Sequence, residues 1–509
     1  MTTLQVSGAL PRLSRRDWLR SYGPALPPAV AVLSGCRPAR PAQTPAAGSP
    51  QSDLGLKPGE VITLQIAWEQ TANEMGQFVT GQAKDLFEQR FPQIRLEFIP
   101  QGNTVEKLTA AFAAGVPPDV IHTPVAQYPR FAAAGMLQPI DPFVARDRSF
   151  DKDDFEPVMW NAFVLDGKTW AIPREGGPTV LYYNKHLFDA AGVPYPTDDW
   201  TWDDWRMAAL KLTKRSGDEI VQFGMHAPSW EVWVWGAGGD ILNPEMTRCV
   251  MDSPQAIAGL QEMQDVIWRW RVAPSPAELS STAPINLFIA GQLATFPGLR
   301  SAGNTAGFVQ PHVALSLLPK GPAGRAYGFP GNGIGIAAPT KYPLAAWEVA
   351  KFYTSTEFQK LHYKLGIGGV VARNSTLRSP EYLNSAFPRE WNEYFAKGRS
   401  AMRRFPPTPL WDDISRIINA EVAKIRNNQE APRVVAKSIV EQVNALLQAK
   451  RGQPLARCLG RGEPMGSPRH PALATRHARG RMAASPGRPY PDWFATWRTS
   501  SASISINKG

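Results

Sequence analysis

Several tryptophans in this chain stand close to carboxylate or amide side chains, and this combination suits the binding of a ring that carries hydroxyl groups. Trp68 is followed by Glu69 and Gln70, and Trp230 and Trp233 lie in a second aromatic cluster. An aromatic face stacks on the apolar C–H face of a pyranose ring, while neighbouring polar groups bind its hydroxyls. These residues therefore predict noncovalent recognition of a sugar.

The other candidate ligand-binding residues have polar or aromatic side chains. They are His122, Glu175, Tyr183, Phe296, Asn332, Arg373 and Trp411. We expect Glu175, like Glu69, to accept hydrogen bonds from hydroxyls. Arg174 and Arg373 could instead bind a carboxylate in a bidentate way. An acidic solute is therefore an alternative to a sugar.

Few residues in the chain have the spacing that metal binding or nucleophilic catalysis requires. The three cysteines are Cys36, Cys249 and Cys458, and the sequence contains no Cys-x-x-Cys or His-Glu-x-x-His motif. We therefore predict no disulfide framework, no metal, no cofactor and no catalytic residue. One enzymatic alternative stays open: a glycoside hydrolase would use two carboxylates facing each other at about 5–10 Å.

The elements that position Trp68 and His122 are predicted from hydrophobic periodicity. Residues 62–68 and 94–98 alternate as strands, 73–90 and 105–112 have helical spacing, and 119–121 form a short buried strand. This alternating order predicts a parallel sheet covered by helices, with ligands beyond the carboxyl ends of the strands. Further along, Thr201 and Asp204 form a predicted capping box, and two apolar-striped helices are expected at 345–354 and 433–448.

The positive charge of the chain is concentrated at its two ends. The 509 residues carry a formal charge of +11, of which residues 1–59 contribute +5 and residues 451–509 contribute +8. The body between them is close to neutral, so we predict no nucleic-acid partner. Residues 451–509 are rich in Arg, Pro, Gly, Ala and Ser, a composition typical of a disordered basic tail.

The amino-terminal segment has the features of an export signal. Ser14-Arg15-Arg16-Asp17-Trp18-Leu19-Arg20 resembles a twin-arginine motif, and Leu33-Ser34-Gly35-Cys36 resembles a lipobox, in which the cysteine is acylated. We predict an export signal at 1–36, lipidation of Cys36 and a flexible tether at 37–59. The protein would then be anchored to the cell membrane on its periplasmic or outer face. Twin-arginine export alone would also fit an exported cofactor enzyme.

The body resembles the extracellular solute-binding proteins of ABC importers, the family that includes the maltose-binding protein. The segments that carry this resemblance, in order, are Ala114–Val120, Gly135–Asp141, Ala171–Pro173, Leu181–Phe188, Phe288–Phe296 and Gly331–Ile336. The resemblance spans about residues 61–450.

The resemblance implies an α/β, two-lobed periplasmic-binding-protein fold of type II with a hinged cleft. Each discontinuous lobe would hold a mixed, mostly parallel sheet flanked by helices. Lobe 1 is expected at 60–175 plus 294–329, and lobe 2 at 176–293 plus 330–450, with chain crossings near 172–179, Leu293 and Phe329.

The implied function is capture of an extracytoplasmic solute, most simply a sugar or oligosaccharide, and its delivery to ABC permease subunits by a monomer without catalysis. The alternatives are an exported glycoside hydrolase and a binder of peptides, polyamines or phosphate esters.

Overall fold

The computed structural model describes residues 54–69, 73–100, 105–364, 369–385 and 387–450. The predicted export signal, Cys36, most of the tether, Gln70 and the tail at 451–509 lie outside the described residues. Among the described helices, none combines the length and apolar composition that a membrane-spanning segment requires.

Strands and helices alternate along the described residues. The strands are β1 Ile62–Trp68, β2 Ile94–Pro100, β3 Val120–Pro124, β4 Leu137–Gln138, β5 Val164–Leu165, β6 Lys168–Thr169, β7 Ile172–Glu175, β8 Val180–Asn184, β9 Lys214–Ser216, β10 Glu219–Gln222, β11 Thr295–Gly298, β12 Val313–Leu317, β13 Tyr327–Gly328, β14 Asn332–Ala337 and β15 Met402–Arg403.

The α-helices are α1 Glu74–Phe78, α2 Lys84–Arg90, α3 Val105–Ala113, α4 Tyr128–Ala133, α5 Asp141–Arg146, α6 Pro157–Asn161, α7 Lys185–Ala191, α8 Trp202–Leu212, α9 Trp230–Gly236, α10 Pro254–Trp268, α11 Pro284–Ile289, α12 Pro343–Tyr353, α13 Thr356–Lys364, α14 Asn374–Leu377, α15 Pro380–Leu383, α16 Arg389–Gly398, α17 Trp411–Arg426 and α18 Pro432–Ala449. A π-helical turn, Val79–Ala83, joins α1 to α2, and short 3₁₀ turns occupy Arg300–Asn304 and Arg399–Ala401.

A six-stranded mixed sheet forms the first lobe. Its order is β2-β1-β3-β14-β4, with β7 also paired to β14. The strands β1, β2 and β3 are parallel, whereas β14 is antiparallel to β3, β4 and β7. Ile62, Leu64 and Ile66 are buried while Thr63 is exposed, so the alternation in the sequence correctly predicts β1.

A three-stranded sheet, β11-β8-β12, forms the centre of the second lobe. Both pairings are antiparallel, with Thr295 opposite Tyr183 and Leu317 opposite Val180. The helices α11 and α16 pack on this sheet, and α9, α10, α17 and α18 form a helical layer in the same lobe. The predicted capping box at Thr201 and Asp204 is present and begins α8.

The strand pairing corrects the predicted lobe boundaries. β11 and β12 pair with β8, so residues 295–317 belong to the second lobe rather than the first. β14 pairs with β3, β4 and β7, so residues 332–337 belong to the first lobe rather than the second. The predicted crossing near Leu293 is therefore wrong. Local patterns identify strands, but the lobe that each strand joins depends on pairing with residues far away in the sequence.

Gly176 and Gly177 follow β7, where the chain passes from the first lobe to β8 of the second lobe. The Gly176 amide donates a hydrogen bond to the carbonyl oxygen of Val370 at 2.9 Å. Gly176 has a φ of 154°, and a Cβ atom there would lie 2.7 Å from the Cα of Gly331 and 2.3 Å from Cε2 of Phe329. Only glycine fits this conformation and this close approach.

We predict that Gly176→Ala lowers the free energy of unfolding by about 2–4 kcal/mol, because the new methyl group meets backbone and ring atoms. Chemical denaturation followed by tryptophan fluorescence measures this change. Gly81→Ala is the matched control, since nothing lies within 4 Å of a Cβ atom at Gly81, and we expect it to change stability by less than about 1 kcal/mol. Equal effects of the two substitutions would contradict this description of the hinge.

Candidate functional site

Polar and aromatic side chains of the first lobe meet where its strands end. Trp68 ends β1, His122 lies in β3, and Arg174 and Glu175 end β7. Since β14 is antiparallel to both β3 and β7, the carboxyl ends of β1, β3 and β7 lie at one edge of the sheet. This edge is where an open α/β sheet binds ligands. Trp68 and His122, which the sequence places at predicted strand ends, lie close together, with 4.5 Å between their ring centroids.

His122 is buried and held in one tautomer. Nη1 of Arg174 lies 3.2 Å from Nε2 of His122, and because arginine can only donate, Nε2 accepts and the proton sits on Nδ1. That Nδ1 atom lies 3.7 Å from Oε2 of Glu69. Burial, reinforced by the charge of Arg174, lowers the pKa of His122 well below its usual value of 6.5. The imidazole is therefore neutral at physiological pH and can exchange hydrogen bonds without adding charge.

Arg174 binds several members of this cluster at once. Its Nη1 donates to Oε1 of Glu175 at 2.7 Å, and its guanidinium lies 5.1 Å from the centroid of the Trp68 ring. The Nε2 amide of Gln359 donates to the Arg174 carbonyl oxygen at 3.0 Å. The buried cation is thus paired with a carboxylate and fixed at both its backbone and its head group.

The Trp68 ring is enclosed by its neighbours. The ring of His122 lies 4.5 Å from it at an interplanar angle of 31°, and the ring of Tyr353 lies 5.5 Å from it. By contrast, the side chain of Glu69 is 22% exposed. In this conformation Glu69 is more accessible to a solute than the aromatic ring beside it, and the ligand role of Trp68 stays a prediction.

In the second lobe, a short strand-like segment ends at His226. Phe223 bridges in parallel to Leu293, and the backbone amide of His226 donates to the carbonyl oxygen of Thr295 at 3.0 Å. His226 therefore lies at the carboxyl end of the segment 223–226, just before α9. The ring of Phe296 lies 6.1 Å from the His226 ring. The sequence analysis does not single out His226, although this residue lies, like His122, between a short strand-like run and a helix.

The predicted residues Trp230 and Trp411 are the first residues of α9 and α17. Both are largely buried. Nε1 of Trp230 donates to Oδ1 of Asn419 at 2.9 Å, and Trp411 stacks on Phe405 with 5.0 Å between ring centroids. Asn332 begins β14 and lies opposite Glu175, which places it beside the first-lobe cluster. Ligand contacts by these residues stay predictions.

Two other predicted residues, Trp233 and Tyr183, make packing contacts that argue against a ligand role. Trp233 is 1% exposed and lies against Trp202, with 4.8 Å between ring centroids. Tyr183 belongs to a small core with Phe188. The helical and strand periodicities that place aromatic residues in these elements do not distinguish a face toward the core from a face toward a ligand.

Arg373 is buried in a structural ion pair. Its Nη1 lies 3.3 Å from Oδ2 of Asp154, its Nε donates to the carbonyl oxygen of Thr354 at 2.8 Å, and its guanidinium lies 4.1 Å from the Phe155 ring centroid. These partners occupy the donors that bidentate binding of an acidic solute would need.

We predict that His226 makes the stability depend on pH. Burial, with the charge of Arg426, lowers the pKa of His226 from 6.5 to about 3. The unfolded chain therefore binds a proton between these pH values that the folded chain does not, so the free energy of unfolding falls as the pH falls below 6.5. From pH 7 to pH 4.5, the free energy of unfolding of the wild type should fall by about 2 kcal/mol more than that of His226→Gln.

Urea denaturation at a series of pH values measures this difference. His186→Gln is the control, because His186 is exposed at the start of α7. If the free energies of unfolding of the wild type and His226→Gln differ by the same amount at every pH in this range, the result would contradict burial of a neutral His226.

Comparisons with known proteins agree with this geometry. Residues 69–360 match the family model described as bacterial extracellular solute-binding protein. A binding protein of Brucella abortus is 24% identical over 379 residues, which cover 72% of this chain and 89% of that protein.

Solved structures show the same fold. An ABC substrate-binding protein from Listeria monocytogenes, solved in complex with cycloalternan, has a TM-score of 0.67 and 25% identity, covering 76% of this chain and 100% of that one. The sugar-binding protein MalE from Xanthomonas citri has a TM-score of 0.67 and 20% identity, covering 77% and 98%. These similarities confirm the predicted two-lobed α/β fold, and with the family match they show that this chain belongs to the bacterial extracellular solute-binding proteins and acts outside the cytoplasm.

Proposed function

We propose that this protein captures a sugar or oligosaccharide outside the cytoplasm and delivers it to an ABC permease by closing its two lobes. The observation that carries the proposal is the cluster of Trp68, Glu69, His122 and Glu175 at the carboxyl ends of the first-lobe strands. It combines an aromatic ring with carboxylate acceptors and a neutral imidazole, which are the groups that bind a hydroxyl-rich ring. The sugar complex of the Listeria structure and the sugar-binding name of the Xanthomonas structure support the same ligand class.

The charges of the cluster favour an uncharged solute over a phosphate ester or another acid. Arg174 is paired with Glu175 at 2.7 Å, and Arg373 is paired with Asp154 at 3.3 Å. Glu69 adds a partly exposed carboxylate. An anion would have to displace one of these pairs and approach Glu69, both of which cost free energy.

The protein is proposed to act as a monomer without a cofactor and to release its solute chemically unchanged. Incubation of the purified protein with its oligosaccharide should therefore produce no new reducing ends. An increase in reducing ends above a protein-free control would support the glycoside hydrolase alternative instead.

We predict that one class of sugar raises the melting temperature of the purified protein. The screen compares maltose, maltotetraose, cellobiose, arabinobiose and chitobiose with amino acids, polyamines and glycerol phosphate. A solute that binds only the folded state adds about 2.7 kcal/mol of stability at a hundredfold excess over its Kd. Shifts with the non-sugar compounds alone would contradict the sugar proposal, while no shift at all would contradict binding of every class tested.

The binding role of Glu69 is tested by Glu69→Gln, which keeps the shape of the side chain and removes its charge. Loss of a charge-assisted hydrogen bond to a hydroxyl should weaken the Kd roughly 10- to 100-fold, as measured by titration calorimetry. Glu106→Gln, at an exposed position on α3, is the matched control and should bind like the wild type. Unchanged affinity of Glu69→Gln would remove Glu69 from the site.

We also propose that a lipid on Cys36 anchors the protein to the membrane and that the twin-arginine motif directs its export. Cys36→Ser should move the protein from the membrane fraction to the soluble extracytoplasmic fraction and abolish labelling by a fatty acid analogue. Cys249→Ser is the matched control, because Cys249 is buried in the folded body. Continued labelling of Cys36→Ser would contradict the anchor.

A further inference from the structure

An ion pair joins α4 of the first lobe to α17 of the second lobe. Nη1 of Arg130 lies 3.7 Å from Oδ2 of Asp412. Arg130 lies on α4, which follows β3 and packs on β4 of the first-lobe sheet. Asp412 lies in the first turn of α17, which packs on α10 and α18 of the second lobe. The pair therefore requires that these two helices, and with them the two lobes, stay close together.

The position of Asp412 on its own helix does not explain this pair. A carboxylate in the first turn of a helix interacts favourably with the helix dipole, and α17 has two of them, Asp412 and Asp413. Asp413 pairs within the helix, where Nη1 of Arg416 lies 2.9 Å from its Oδ1. The dipole accounts for an acidic residue at position 412, but it does not account for an arginine that approaches from the other lobe.

Partial burial makes the charge of Asp412 sensitive to its neighbours. Its side chain is 24% exposed and that of Arg130 is 34% exposed. Burial raises the pKa of Asp412, whereas the charge of Arg130 lowers it. A carboxylate that has lost part of its hydration is stabilised in its charged form by a nearby cation. Separation of the lobes would withdraw Arg130 and remove that stabilisation.

We propose that Arg130 and Asp412 are positioning residues for solute capture, whose ion pair forms as the lobes close and raises the affinity for the solute without contacting it. The inference rests on the proposed function and adds an interaction that favours the closed form. A protein binds its solute with an apparent affinity that is reduced by the fraction of molecules outside the binding-competent conformation. Loss of the pair lowers the closed fraction and therefore raises the apparent Kd.

A double-mutant cycle, measured by titration calorimetry, tests this proposal with the sugar that gives the largest shift in melting temperature in the screen. Arg130→Gln and Asp412→Asn should each raise the Kd about two- to fivefold, as expected for a partly exposed ion pair. The double variant should bind no more weakly than either single variant, because each substitution removes the same interaction.

Two further variants serve as controls for this cycle. Arg130→Lys keeps the cation and should retain a Kd within about twofold of the wild-type value. Asp413→Asn removes a carboxylate from the same helix turn but leaves the interlobe pair in place, so it should bind like the wild type. A loss of affinity in Asp413→Asn equal to that in Asp412→Asn would assign the effect to the helix dipole and overturn the inference.

Binding kinetics separate an interlobe role from a structural one. The solute meets the open form, in which Arg130 and Asp412 are apart. Loss of the pair should therefore raise the dissociation rate and leave the association rate within about twofold of the wild-type value. Stopped-flow tryptophan fluorescence measures both rates. A change confined to the association rate would contradict a pair that forms on closing.

The remaining outcomes are distinguishable. Losses of affinity that add up in the double variant would assign the two residues to independent roles, such as direct contact with the solute, and would overturn the inference. Wild-type affinity in both single variants would overturn it as well.

Failure of the wild type to bind any sugar would instead contradict the proposed function. Small-angle X-ray scattering of the solute-free protein then tests the ion pair by itself. The double variant should have a larger radius of gyration than the wild type, because its lobes separate more readily, and an unchanged value would overturn the inference.

Discussion

The burial of one cation, the guanidinium of Arg174, constrains much of the site. A buried charge must be paired, and here Glu175 supplies the carboxylate at 2.7 Å while His122 accepts a second hydrogen bond at 3.2 Å. This arrangement fixes the tautomer of His122 and, through it, which atom faces Glu69. Because Arg174 and Glu175 are also the last residues of β7, the same ion pair lies where the chain leaves the first lobe.

The connection from β7 to the second lobe begins directly after this ion pair. Gly176 and Gly177 approach the backbone of Gly331 and the side chain of Val370 so closely that no Cβ atom fits without movement. A rotation of one lobe relative to the other at these glycines would take place within a few residues of the cluster that is proposed to bind the solute.

Much of the first lobe could be predicted from the sequence, because its strands and helices have clear periods. Residues 62–68 alternate and form β1 at those bounds, and the predicted helix at 105–112 is α3. The lobe membership of β11 and β14 could not be predicted, because it depends on pairing across more than a hundred residues. Patterns of local sequence contain no information on such partners.

The same limit applies to the site. The sequence places Trp68 and His122 at or near the ends of recognisable strands, and their ligand contacts stay predictions. It does not distinguish Trp233, whose ring packs on Trp202, from Trp230, whose Nε1 reaches Asn419, because both lie in the same short helix. It also does not single out His226, because the burial that keeps this histidine neutral is visible only in the folded chain.

The central claim is that the two lobes close around a sugar. Small-angle X-ray scattering of the purified protein, with and without the sugar that stabilises it most, tests this claim directly. The account predicts that saturating sugar reduces the radius of gyration beyond experimental error while the protein stays monomeric. A sugar that binds tightly and leaves the scattering curve unchanged would contradict capture by lobe closure.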